Sequence, residues 1–167
     1  MMTRRVFLVT GVAGFAGAAV LSRFRTSARE TLILAQAHTF EVSRTDAEWR
    51  KLLTPDQYDV LRKEGTERPF SSPLLNEKRK GSFTCAGCQL DVFSSTTKFE
   101  SGTGWPSFWA PIENGVGVTR DTTLGMIREA VHCRRCGGHL GHVFDDGPRP
   151  TGLRYCINGV ALGFKPA

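Results

Sequence analysis

No uncharged apolar run in this sequence reaches the roughly 20 residues that a membrane-spanning helix requires. The one candidate, residues 6–21, is shorter and rich in Gly and Ala. There is no Gly-rich phosphate loop, which argues against nucleotide-driven chemistry, and no internal repeat beyond two C-x-x-C pairs, which argues against a solenoid. A concentrated basic patch is also missing. Lys78-Arg79-Lys80 is the only triple run and reads as a solvated turn, so a nucleic-acid partner is not expected. Cysteine is scarce, five residues, and the odd count leaves one thiol outside any pairing. Turn formers are plentiful instead. Eighteen Gly and eight Pro in 167 residues imply many turns and short strands within one ordinary domain.

The net charge of +6 belongs mostly to the N-terminus. Residues 1–37 hold five Arg and one acidic residue; the remainder has 17 basic against 15 acidic residues, a net charge of +2. Arg4-Arg5 stands directly before the apolar run, which fits a twin-arginine export signal. Residues 1–37 are therefore expected to be an export signal and 38–167 the functional domain, placed in the periplasm. Arg23 and Arg25 follow the run, and Ala35-Gln36-Ala37 is a small-x-small cleavage pattern far from it, so an uncleaved membrane tether is the alternative.

Two helices are expected after the signal. Thr45-Asp46-Ala47-Glu48 reads as a capping box followed by an apolar face of Trp49, Leu52 and Leu53. Thr54-Pro55-Asp56-Gln57 is a second box with Pro at the first helical position, burying Tyr58 and Leu61, with Val60 at the edge and Gly65 as the stop. Neither carries an evident catalytic group, and both are expected to pack outside a sheet. Beyond Gly65, short runs rich in Phe, Val, Ile and Tyr at 82–84, 92–93, 126–132, 140–144 and 154–164 alternate with Gly and Pro turns, the pattern of antiparallel sheets.

Four of the cysteines form the pairs Cys85/Cys88 and Cys133/Cys136, with 44 residues between Cys88 and Cys133. Four soft thiolates suit one tetrahedral metal of the structural Zn²⁺ kind, stapling two distant hairpins. Disulfides or redox pairs are the rival reading for an exported chain. The twin-arginine route carries folded proteins, so metal could load in the reducing cytoplasm. The fifth cysteine lies in Arg154-Tyr155-Cys156-Ile157-Asn158. Strand alternation puts Arg154, Cys156 and Asn158 on one face and Tyr155 and Ile157 on the other. A guanidinium beside a thiol lowers its pKa and favours the nucleophilic thiolate, whereas a buried structural cysteine has no need of Arg and Asn beside it.

Polar groups that could work with that thiol follow the second pair. His139-Leu140-Gly141-His142 offers two imidazoles, left free for acid–base work if four cysteines close the metal site. In the turn Asp145-Asp146-Gly147-Pro148 one carboxylate could orient a histidine or both could be solvated. Gly104-Trp105-Pro106-Ser107-Phe108-Trp109 places an indole on a Gly/Pro loop, a candidate pocket wall.

Taken in order, Gly65-Thr66-Glu67-Arg68-Pro69-Phe70, the two C-x-x-C pairs, Gly104-Trp105-Pro106-Ser107-Phe108, His139-Leu140-Gly141-His142-Val143-Phe144 and Arg154-Tyr155-Cys156-Ile157-Asn158 resemble the B-type peptide methionine (R)-sulfoxide reductases. The motifs run in that family's order from Asp46 to Phe164. The resemblance implies a mainly β fold of two antiparallel sheets with short N-terminal helices and a structural zinc site on Cys85, Cys88, Cys133 and Cys136. It implies Cys156 as nucleophile and Trp105 facing the substrate's S-methyl group, with Phe144 beside a polar wall of His139, His142, Asp146, Arg154 and Asn158. His142 is the expected proton donor. Oxidised proteins or peptides would be the substrates, an external, thioredoxin-like thiol the reductant, and the enzyme a monomer.

The sequence departs from many members at Thr103, where they carry a cysteine that resolves the oxidised nucleophile, and at Gly159, where a serine is frequent and the substrate pocket is expected to change slightly. No cysteine is left for resolution, so recycling must come from outside the chain. Two other classes compete with this reading: a zinc-stabilised binding module without catalysis, and a thiol-disulfide oxidoreductase working through the C-x-x-C pairs. The retained Cys156, His139, His142 and Asn158 speak against the first. The absence of a βαβ thioredoxin pattern speaks against the second.

Overall fold

A computed structural model of the chain describes residues 40–122 and 128–167, which fall within one compact unit, His38–Ala167. The export-signal reading of residues 1–37 concerns a segment outside the described residues, as do positions 126–127 of one expected strand. Among the described residues no helix is long and apolar enough to cross a membrane.

Both helices start as their boxes require. In α1 (Asp46–Leu52) the Thr45 hydroxyl accepts from the Glu48 N–H while the Glu48 carboxylate takes the Thr45 N–H at 2.8 Å. In α2 (Pro55–Lys63) Thr54 and Gln57 make the same exchange at 3.2 and 3.1 Å. Trp49 and Leu53 are buried, but Leu52 is 54% exposed. With only seven residues in α1, Leu53 four residues after Trp49 takes the inward position and Leu52 turns out. The left-handed residue that ends α2 is Glu64 (φ 58°), one position before the expected Gly65. Gly65 still closes the turn by donating its N–H to the Asp59 carbonyl at 3.1 Å. Val60 is buried together with Tyr58 and Leu61, and α2 lies against β7, defined below, and the turn at 159–161.

Among the described residues nine strands make two antiparallel sheets. One has the order β2-β1-β9, from β1 (Gly81–Cys85), β2 (Asp91–Ser94) and β9 (Leu162–Pro166). The other has the order β3-β4-β8-β7-β6-β5, from β3 (Lys98–Phe99), β4 (Ser107–Phe108), β5 (Val116–Asp121), β6 (Arg128–Cys133), β7 (His139–Phe144) and β8 (Arg154–Ile157). The single run expected over 154–164 is thus two strands in different sheets, parted by a 3₁₀ turn, Gly159–Ala161. Aromatic rings fill the space between the sheets. Phe93 of β2 stacks on Phe108 of β4 at 4.4 Å between centroids, Phe83 of β1 meets the same ring edge-on at 4.9 Å, and Phe93 tilts against Tyr155 of β8 at 5.7 Å. Tyr155 and Ile157 face this core, so the opposite face of β8 is left for Arg154 and Cys156.

Candidate active site and metal centre

The two C-x-x-C turns hang from different sheets, one following β1 and the other following β6. Each ends in a left-handed residue, Gln89 (φ 60°) and Gly137 (φ 68°), that lets the chain fold back under the sulfurs. The Cys88 and Gln89 N–H groups both bond the Cys85 carbonyl, and the Gly137 N–H bonds the Cys133 carbonyl. All four cysteines are free thiols whose Sγ atoms lie within 4.8 Å of one another, with Cys85 to Cys136 at 3.6 Å and Cys88 to Cys133 at 3.4 Å. A tetrahedron of Zn–S bonds near 2.3 Å has edges of about 3.8 Å, so the set fits one metal ion of that size. Hydrogen bonds among the sulfurs depress the Cys88 and Cys133 thiols and raise those of Cys85 and Cys136. A divalent cation lets all four ionise together. Cys156 stands outside this cluster.

The register of the larger sheet gathers the second group. His142 and Ser107 flank Cys156 on the adjacent strands, Arg154 faces Phe144, and farther out Ala130 follows His142 and Arg128 faces Asp121. Partners across an antiparallel ladder, and residues two apart, share a face. Cys156, Arg154, His142, Phe144, Arg128 and Asp121 therefore lie on one side. His139 is three residues from His142 and would face the other way in a regular strand. The register slips between Val131 and His132, so that His139 pairs with His132, and the His139 and His142 imidazoles meet edge to face at 5.2 Å.

The electrostatics differ from expectation at Cys156. Arg154 is committed to Asp146 through two bonds of 2.8 Å and lies over the Phe144 ring at 4.4 Å. Asp146 is thus both exposed and engaged, on an arginine instead of a histidine. Burial raises the Cys156 thiol above its ordinary value, and the Thr103 hydroxyl at 3.8 Å and the nearby Arg154 only partly oppose that rise. The thiol is consequently protonated at rest, not the ready thiolate that a neighbouring guanidinium suggests. Thr103 begins a chain of hydroxyls, to Ser101 at 2.8 Å and on to Ser107 at 2.7 Å.

His139 is buried, burial first and His142 second hold its pKa down at about 4, and its Nε2 has no hydrogen-bond partner among the described residues. It is a neutral imidazole. His142 has Nε2 3.1 Å from Asp121 Oδ2, and the same oxygen accepts from Arg128 Nη2 at 2.7 Å. The carboxylate on the histidine is therefore Asp121, which the sequence reading passed over in favour of Asp145 and Asp146. The available signal was an acid and a base on either side of residues 122–127, opposite each other in the register of β5 and β6.

Asn158 departs from the simple alternation. β8 ends at Ile157, and the Asn158 amide is buried, donating to the Leu140 carbonyl at 3.0 Å and accepting from the Glu67 N–H at 3.0 Å. Trp105 lies on the loop entering β4, its indole N–H on the Glu67 carbonyl at 3.1 Å. Gly159 is buried, and a Cβ there would lie 2.0 Å from Ser72 Oγ and 3.3 Å from Pro106 Cγ, so its neighbours are Ser72 and Pro106. Glu67 was not singled out from the sequence as a site residue, although the motif containing it was.

A protonated Cys156 makes a test. Alkylation of the substrate-free protein by iodoacetamide, read by mass spectrometry at Cys156, should be slower at neutral pH than for an exposed cysteine peptide and should climb as pH passes the ordinary thiol value of 9.0. A rate already at its plateau at neutral pH would show a depressed thiol pKa and contradict the burial argument.

Comparison with known proteins bears on this arrangement. The SelR domain family model matches residues 53–166. A peptide methionine sulfoxide reductase MsrB of Agrobacterium fabrum is 54% identical over 127 residues, covering 75% of this chain and 94% of the relative. That of Methanosarcina barkeri is 59% identical over 125 residues, covering 74% and 88%, and that of Leptospira interrogans 53% identical over 127 residues, covering 75% and 97%. The match spans both cysteine pairs, the Trp105 loop and the strands carrying His142 and Cys156, and on that span and identity the chain belongs to the SelR family, that of the peptide methionine sulfoxide reductases MsrB.

Proposed function

We propose that this chain, an oxidoreductase of the methionine sulfoxide reductase family, reduces methionine (R)-sulfoxide in oxidised proteins and peptides with Cys156 as nucleophile. The observation that carries the reading is the pairing of Cys156 with His142 across adjacent strands, on the face away from the core. A sulfoxide sulfur becomes electrophilic when its oxygen is protonated. Cys156 attacks that sulfur, forming an S–S bond, while the thiol proton passes by way of His142 to the oxygen. The hydroxyl then moves to the Cys156 sulfur: the S–S and sulfoxide S–O bonds break as the Cys156 S–O bond forms. Methionine sulfur is reduced by two electrons and Cys156 is oxidised by two, to a sulfenic acid. Asp121 holds the His142 ring, neutral His139 supplies an acceptor, and the Trp105 indole gives the methyl group an apolar wall that helps fix the epimer presented, R by the resemblance to the family.

Recycling follows from Thr103, the hydroxyl nearest the Cys156 sulfur, which cannot form a disulfide. An external thiol of thioredoxin-like type attacks the sulfenic sulfur and water leaves. A second thiol then releases Cys156 and carries away the disulfide. Without reductant the protein should release about one equivalent of methionine per chain and stop, with Cys156 trapped by a 1,3-dione, and Cys156→Ser should release none. Continued turnover without reductant, or a Cys156 disulfide to Cys85, Cys88, Cys133 or Cys136, would sink the scheme.

Cys85, Cys88, Cys133 and Cys136 would hold one Zn²⁺, whose contribution is structural: it clamps β1 of one sheet to β6 of the other. Cys85→Ser should lose the metal and melt well below the parent, by elemental analysis and calorimetry. A metal-free protein of unchanged melting temperature would refute the assignment. Residues 1–37 would direct export by the twin-arginine route, supported by Arg4-Arg5 before the apolar run. Replacing Arg4 and Arg5 by Lys should keep the protein cytoplasmic on fractionation; normal export of that variant would remove the assignment.

A further inference from the structure

Glu67 uses both its backbone and its carboxylate to join segments that lie far apart in sequence. Its backbone carbonyl accepts the Trp105 indole N–H at 3.1 Å. Its backbone N–H donates to Asn158 Oδ1 at 3.0 Å. Its carboxylate accepts the Gly159 N–H through one oxygen and the Val160 N–H, at 3.0 Å, through the other. One residue thus joins the aromatic wall to the turn that begins two positions after Cys156. Three residues later the Phe70 N–H bonds the Gly104 carbonyl at 2.7 Å, fastening the same segment to the base of the Trp105 loop.

The need for a carboxylate at this place has a local cause. The turn Gly159–Ala161 begins at Asn158, and a helical turn leaves its first N–H groups without internal acceptors. An asparagine at that position ordinarily supplies one from its side chain. Here it makes no such bond, because its amide is spent on Leu140 and on Glu67. The acceptors come instead from Glu67, across the chain. Gly159 is buried, and the Glu67 carboxylate is the acceptor its N–H has in the folded chain.

We propose that Glu67 is a positioning residue for the reduction: it holds the Trp105 indole and the Cys156–Asn158 strand end at a fixed separation, and so sets how the sulfoxide's methyl group is presented to the sulfur. It touches no reacting atom: its carboxylate anchors residue 67 to Gly159 and Val160, and the backbone so anchored holds Trp105, through which it acts. The proposal rests on the functional reading above, with Trp105 as the methyl wall. A side chain that merely stabilised the fold would lower the melting temperature and leave the apparent affinity of the folded fraction, and its choice of epimer, as they were.

The test is a double-mutant cycle on Glu67 and Trp105 with R and S methionine sulfoxide in a peptide and dithiothreitol as reductant. Glu67→Ala should raise KM for the R epimer by about tenfold, with a smaller fall in the single-turnover rate, and should narrow the preference for R over S. In a Trp105→Phe background the same substitution should change KM by less than about twofold, because the indole N–H that Glu67 holds is already gone. Glu67→Gln keeps one acceptor oxygen and should fall between parent and Glu67→Ala; it carries the cycle where Glu67→Ala does not fold. Equal effects of Glu67 in both backgrounds, or an unchanged KM and epimer ratio in a folded Glu67 variant, overturn the proposal. A parent protein that turns over neither epimer would instead overturn the functional reading, so the two failures are distinct.

Discussion

The backbone register between β7 and β8 is the constraint on which the site depends. Opposing His142 to Cys156 puts an imidazole and a thiol side by side without either having to be near the other in sequence, and the same ladder fixes Phe144 against Arg154. A slip of one residue would turn Cys156 into the aromatic core and Tyr155 out of it. Register is held by what lies behind the sheet. Tyr155, Ile157 and Val143 are packed into the interface that Phe83, Phe93 and Phe108 fill. The core chooses the face, and the chemistry occupies what remains.

Several features were legible in the sequence because they are local. Both capping boxes, the paired cysteines and the alternation through Arg154, Tyr155, Cys156 and Ile157 depend on neighbours a few residues apart, and each appears in the structure. The two-residue strands β3 and β4 offered too little pattern to be seen, and β5 lies mostly exposed, so its hydrophobic periodicity is weak. Reading 154–164 as one strand failed at Asn158, whose amide bonds to segments far away in sequence and so leaves no local signature. Asp121 and Glu67 were missed for a similar reason: His142 lies 21 residues from Asp121, and Glu67 bonds to Trp105 38 residues away and to Asn158 and Gly159 91 and 92 residues away.

Charge near the thiol shows how identity alone misleads. The sequence supplies an arginine two residues from the cysteine, but the structure supplies that arginine with its own carboxylate, and a residual field acts on a sulfur that burial has already made hard to ionise. Under the proposed reduction, a protonated Cys156 would bring to the site the proton that the sulfoxide oxygen receives. It also protects the thiol from casual oxidation, since the thiolate is the form that oxidants attack.

The contact between Gly159 and Ser72 has a consequence for how the turn can vary. A Cβ at 159 would meet the Ser72 hydroxyl at 2.0 Å and its Cβ at 2.5 Å, so a serine at 159 and a serine at 72 compete for one volume. Ser72 is itself tied down, its hydroxyl accepting from the Leu74 N–H at 3.2 Å to start the turn at 73–76. Positions 159 and 72 therefore form a complementary pair, in which enlarging one calls for shrinking the other.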